Sequence, residues 1–291
     1  MLEGADNTAP ELRAYALMSA AFGAALTGDF ELAARAPLQA LQLAGETSGW
    51  QCGLWARFTN GQIATILGDL EAVAAMGRAI LELCDEYDLR LPRAYGVSLL
   101  AEAEFFADGD YAAARRFAEE AIAGFRGLYD IGGLKIYGLS IAAPVAALQG
   151  DLDAAEGYAT EAITLPGAAW TAAAYVILGG YVLLPRNDVE RGRQVLERGT
   201  RLAYETSNEI WMRFGILFLA NLAARDEDWE QAARLFGACR PNLPAWGQQS
   251  RWWTEEPQVR EAVGETRYEQ LVAQGVAAEP EVIMDWISLG S

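Results

Sequence analysis

The chain has no histidine, which removes Ser-His-Asp and Cys-His nucleophile pairs and every histidine-ligated metal site. Its single lysine, Lys135, sits in GGLKIYG, which is not a GxxxxGK[ST] phosphate loop. The three cysteines, Cys52, Cys84 and Cys239, lie far apart in no metal or redox spacing, so buried free thiols in a reducing compartment are expected. Long hydrophobic runs are missing too. The longest, Thr171 to Pro185, contains two glycines and reads as a buried helix rather than a membrane span. The N-terminus shows no basic segment followed by an apolar core, which points to a cytoplasmic protein. Positive charge is scarce, 22 basic against 40 acidic residues for a net −18. Affinity for nucleic acid comes mainly from neutralising phosphates, so neither direct nucleic-acid binding nor a membrane is expected.

What the chain does have is repetition. The stretch Asp108 to Phe125, DGDYAAARRFAEEAIAGF, opens on a turn with Gly109 and Asp110. Small Ala113, Ala114, Ala118 and Ala121 then alternate with Tyr111, Phe117, Ile122 and Phe125. The same phrase recurs as GDFELAARAPLQAL from Gly28, GDLEAVAAMGRAIL from Gly68 and GDLDAAEGYATEAI from Gly150, with weaker copies from Asn187 and Asp226. A period of about 40 residues marks a solenoid of stacked helix pairs, because one unit cannot bury its own apolar face. The Asp after each turn glycine is placed to cap the second helix, which accounts for Gly-Asp without a catalytic role.

In chain order, Met1 to Pro10 is a polar lead-in. Six pairs follow over residues 1–240: Glu11–Thr27 with Phe30–Ala44, Trp50–Leu67 with Asp69–Tyr87, a helix from Pro92 to Ala107 with the Asp110 helix, Ile131–Leu148 with Asp151–Thr164, Ala168–Leu184 with Val189–Glu205, and Glu209–Ala224 with Asp228–Cys239. Pro37 and Pro144 fall inside helices and are expected to kink them. Residues 241–291 break the rhythm. The runs REAVGETRYEQLVAQG from Arg260 and EPEVIMDWI from Glu279 read as two short helices of a C-terminal cap. Trp246, Trp252, Trp253 and Trp286 either dock this tail or form a contact surface for a neighbouring domain. The acidic residues fall mostly on turns and exposed faces, and Glu102 and Glu104 are two apart on a helix and diverge.

The Gly-Asp-aromatic openings and 40-residue pairs resemble tetratricopeptide repeats, in the lengthened form found in large ATPase-containing transcriptional regulators of the LuxR and MalT-like type. DWEQAARLFGAC from Asp228, the Arg260 run and PEVIMDWI from Pro280 are similar to the end of the repeat region in those actinobacterial-type regulators. The nucleotide-binding module and helix-turn-helix of such regulators are absent from the sequence. The chain therefore reads as an excised sensor segment or a stand-alone relative. The expected fold is an all-α, right-handed α-solenoid with a helical cap. In tetratricopeptide units the first helix of each pair faces the concave side. Counting back from the turn glycines, the resemblance implies that Tyr15, Trp55, Tyr95 and Tyr137 point inward, with Met18, Phe58 and Leu99 next and then Phe22 and Gln62. Arg13, Arg93 and Lys135 stand two positions before three of the aromatics. These aromatics either fill the space between helix pairs or, with the cations, line a groove for a peptide, a protein partner or a small apolar, acidic ligand. A non-enzymatic sensor or interaction scaffold without a cofactor is expected. The alternatives are a stand-alone small-molecule-binding protein and an enzyme acting on an apolar substrate, the latter requiring a Glu or Tyr of perturbed pKa in the groove.

Overall fold

The computed structural model describes residues 9–45, 49–90, 92–107, 109–126, 134–165, 168–248 and 252–288. The lead-in through residue 8, Asp108, the expected start of the fourth pair at Ile131 and the Trp246 side chain lie outside the described residues. Every regular element among the described residues is helical. The helices are α1 (Pro10–Leu26), α2 (Phe30–Gly45), α3 (Trp50–Leu67), α4 (Leu70–Glu86), α5 (Arg93–Phe106), α6 (Tyr111–Arg126), α7 (Leu134–Leu148), α8 (Leu152–Thr164), α9 (Ala168–Ile177), α10 (Val189–Glu205), α11 (Glu209–Arg225), α12 (Trp229–Cys239), α13 (Glu256–Val263), α14 (Glu265–Ala277) and α15 (Pro280–Ser288). The chain forms two compact units, residues 1–145 and 146–291.

In the first unit α1 packs on α2, α3 on α4 and α5 on α6, and each pair leans on the next through α2 with α3 and α4 with α5. The second helices are amphipathic with small buried residues: Ala33, Ala36 and Ala40 in α2, and Ala114, Ala118 and Ala121 in α6. Short side chains on that stripe let the helix axes come close. Pro37 and Pro144 are both accommodated inside continuous helices.

In the second unit α9 packs on α10 and α11 on α12, and α10 joins the two pairs. The expected helix from Ala168 to Leu184 is α9 followed by a π-helical segment, Leu178–Leu183. Gly179 and Gly180 make that segment possible in place. A Cβ at Gly179 would run into Leu196 of α10, and one at Gly180 into the Phe218 ring of α11.

The tail corrects one boundary. The Arg260 run is not one helix but the end of α13 and most of α14, broken at Gly264 with φ +79°. α14 lies along α12, and α13 also touches α11 and α12. Trp252 is buried, and Trp253 stacks on Phe236 at 5.7 Å, so these two indoles dock the tail. All three cysteines are buried and none is in a disulfide, and burial pushes the Cys239 thiol well up.

One geometry unites the pairs. The N–H groups of Asp29, Asp69, Gly109, Asp151, Asp188 and Asp228 donate to the carbonyls of Ala24, Ala64, Glu104, Ala146, Leu183 and Ala223 at 2.8–3.1 Å. This is the long-range bond of a helix that ends in a left-handed residue. That residue is Gly28, Gly68 and Gly150 in three turns but Asn187 and Glu227 in the weaker copies, where φ is +61° and +62°. Asp29, Asp69, Asp110, Asp151 and Asp228 each accept a first-turn amide, the cap expected from sequence, whereas Asp188 makes no such bond. A left-handed residue with a Cβ is strained by about 1–2 kcal/mol. Glu227 is exposed, so Glu227→Gly is expected to raise stability by about 1 kcal/mol, measured as a higher urea midpoint at unchanged slope.

Candidate ligand-binding face

The six shared carbonyls give the first helices a common register. Nine residues before each stand Tyr15, Trp55, Tyr95, Tyr137, Ala174 and Phe214. Six before stand Met18, Phe58, Ser98, Ser140, Ile177 and Leu217. Two before stand Phe22, Gln62, Glu102, Pro144, Tyr181 and Asn221. This register replaces Leu99 by Ser98. The third turn carries one extra residue between the long-range bond, donated by Gly109, and the cap, Asp110, so counting from the glycine misses by one. Leu99 instead points back onto α3 at Gly61, where a Cβ would collide with it.

Four of the seven residues singled out as groove candidates come together in residues 1–145. Tyr95 is the hub, with ring centroids 5.2 Å from Trp55, 4.9 Å from Phe58 and 5.4 Å from Phe125 of α6; Phe58 also meets Tyr137 edge-on at 5.9 Å. Phe58, Tyr95 and Tyr137 are buried, and Trp55 is half-buried at the edge of the cluster. Edge-to-face packing of this kind contributes about 0.5–1.5 kcal/mol per pair beyond area burial. The other three stand apart. Tyr15 is 38% exposed on α1 and makes no ring contact among the described residues. Arg93, at the start of α5, forms an ion pair with Asp85. Lys135 is half-buried in the first turn of α7.

Beside the aromatics lies a buried polar network that the sequence reading missed. Gln62 Nε2 donates to Glu102 Oε2 at 3.3 Å and to the Tyr137 hydroxyl oxygen. Thr65 Oγ1 donates to the same Glu102 oxygen at 2.8 Å, and Tyr137 also hydrogen-bonds to that carboxyl. Glu102 is only 6% exposed, so it is not one of the solvated acids expected on exposed faces. Burial pushes its carboxyl up to about 7 against the opposing pull of the bonds from Tyr137 and Thr65. Burial, then the Glu102 charge, raises the Tyr137 hydroxyl well above its ordinary value. Ser140, one turn beyond Tyr137 and in register with Ser98, has a buried Oγ with no hydrogen-bond partner. Glu104 diverges as expected and accepts the Asp110 amide at 3.3 Å. The missed signal was register: Gln62 and Glu102 occupy one position in successive units, and a polar pair at an inward position seeks a shared partner.

Residues 146–291 carry their own cluster. Phe214, at the register position of Tyr95, meets Trp211, Phe218 and Trp252 at 5.9, 5.1 and 5.5 Å, and Tyr181 approaches Trp252 at 5.2 Å. A cleft of about 250 Å³ opens here. Tyr181, Phe218 and Trp252 form its walls, Gly180 and Leu184 add apolar surface, and Arg225 lines it as well. Asn221 fixes the wall. Its Nδ2 donates to the Leu217 and Trp252 carbonyls at 3.0 and 2.9 Å, and its Oδ1 accepts the Glu255 amide at 3.2 Å.

Comparison with protein-family models gives no match, and a search of curated proteins gives none either. Among the described residues no helix is long and apolar enough to cross a membrane.

Proposed function

We propose that this protein is a non-enzymatic sensor and interaction scaffold. In this reading it is a right-handed, tetratricopeptide-like solenoid, cytoplasmic, serving as the ligand- or partner-binding repeat segment of a LuxR or MalT-like transcriptional regulator. The observation that supports it is the tie among Gln62, Glu102 and Tyr137. First helices of three successive units contribute to one buried network beside an aromatic cluster. A buried network tolerates only a few arrangements, since each polar atom left unmatched costs about 1–3 kcal/mol. A peptide or a small apolar, acidic molecule bound against this face would therefore shift three units together rather than one. Small rotations per unit add along a repeat array and carry the signal onward.

The test is native mass spectrometry of the protein purified from its own cells, beside a denatured run. A small molecule or defined partner that departs on denaturation is the expected result. A chain that stays bare, alone and after incubation with extract of those cells, overturns the reading. A second reading, an enzyme using Glu102 and Tyr137 as acid and base, is favoured by the Glu102 carboxyl lying near neutrality. It requires that the bound molecule be chemically converted on incubation, which the same spectra would record.

A further inference from the structure

We propose that the cleft beside the π-helical segment binds a compact aromatic carboxylic acid, with its ring against the cleft-facing edge of the Tyr181, Phe218 and Trp252 cluster and its carboxylate on Arg225. The inference rests on the ligand-binding reading above and adds to it a second site, within residues 146–291, with a ligand class. At about 250 Å³ the cleft lies just below the range of about 300–1,000 Å³ typical of ligand sites, which suits a single ring system. Three aromatic walls meet one another edge-on at 5.2–6.5 Å, and such an arrangement accepts a further ring by edge-to-face or offset contact.

The cleft is built rather than left over. The π-helical segment brings Tyr181 to it, and the bare backbone of Gly180 lets Phe218 lie against that segment. π-helical turns are enriched at functional sites. Asn221 spends its amide on holding the backbone at Trp252 and Glu255, so it shapes the wall and does not read the ligand.

Charge decides the rest. Arg225 is the one cation among the lining residues, and it donates to Glu255 through Nε, at 3.2 Å. The terminal nitrogens remain to meet a carboxylate, for which the planar guanidinium is well matched. Glu255 holds the side chain in place, with 17% of its own side chain exposed.

The experiment titrates the full chain with phenylacetate and, as the neutral isostere, phenylacetamide, by calorimetry and saturation-transfer NMR. Phenylacetate is expected to bind at least about tenfold more tightly, as for a hydrogen bond to a charged group. Arg225→Gln should bring the two ligands to equal affinity. Ala147→Phe, at the half-buried edge of the cleft, should remove binding of both while circular dichroism confirms that the helices persist. Equal affinities in the unaltered protein, a preference that survives Arg225→Gln, binding that survives Ala147→Phe, or no binding at all would each overturn the proposal. A native ligand found by mass spectrometry together with any of these results leaves the sensor reading standing and removes only this site. Probe binding as expected, with a chain that is bare in its own cells, does the reverse.

Discussion

Glu102→Gln is expected to stabilise the protein by about 3 kcal/mol at pH 8, with the gain shrinking to about 1 kcal/mol at pH 5.5. The carboxyl ordinarily titrates at 4.5 and in the folded chain at about 7. A folded value above the unfolded one means that the protonated group favours folding. That contribution is complete below about pH 4.5 and is lost as pH rises through 7. Glutamine has the same shape, keeps an oxygen for Thr65 and Gln62, and never ionises, so the penalty disappears only where the wild type is charged. Urea melts of both proteins at the two pH values isolate the term, because every other acid is common to both. A gain that does not change with pH would mean that Glu102 is already neutral, or already solvated, throughout.

The second large effect concerns the tail. α12 and α14 touch backbone to backbone at Gly237 and Gly275. A Cβ at Gly275 would overlap the Arg234 carbonyl oxygen, and one at Gly237 would overlap that of Val272. Neither obstacle is a flexible side chain, so Gly275→Ala must lift α14 from α12 and uncover Tyr268 and Leu271, which are 2% and 0% exposed. The expected loss is about 3 kcal/mol or more, read by urea denaturation, with faster proteolytic release of the segment beyond residue 255. Gly157→Ala is the control. It lies in α8 with nothing within 4 Å of the added carbon, and should gain about 0.5–1 kcal/mol. If Gly275→Ala behaved like Gly157→Ala, the close crossing would be refuted.

Much of this architecture was legible from residue order because the turns announce themselves. A left-handed residue followed by an aspartate is both the repeat phrase and the physical end of one helix and start of the next, so α3, α10 and most other boundaries follow from it. Where the phrase drifts, reading fails. The extra residue in the third turn shifted Ser98 to Leu99, and Glu227 in place of glycine hid the register that leads to Phe214 and Asn221. The π-helical segment carries no signal beyond a glycine pair in an apolar run. Glu102 was read as a surface acid because its spacing from Glu104 says only that the two diverge, not which of them turns inward. The partners that make its burial tolerable, Gln62, Thr65 and Tyr137, are 37 to 40 residues away on one side and 35 on the other, distances over which a local pattern says nothing.

In residues 146–291, successive pairs are also joined on the surface by arginine. Arg186 bonds Asp153, Arg191 meets Glu156 at 2.9 Å, Arg193 pairs with Asp226, and Arg267 reaches Glu230 at 2.8 Å. Each such pair is weak alone and weakens further as dissolved ions screen it. The tie described for residues 1–145 is sheltered from ions but depends on one proton. The buried tie thus answers to acidity, whereas the surface pairs, Arg93 with Asp85 in residues 1–145 among them, answer to ionic strength.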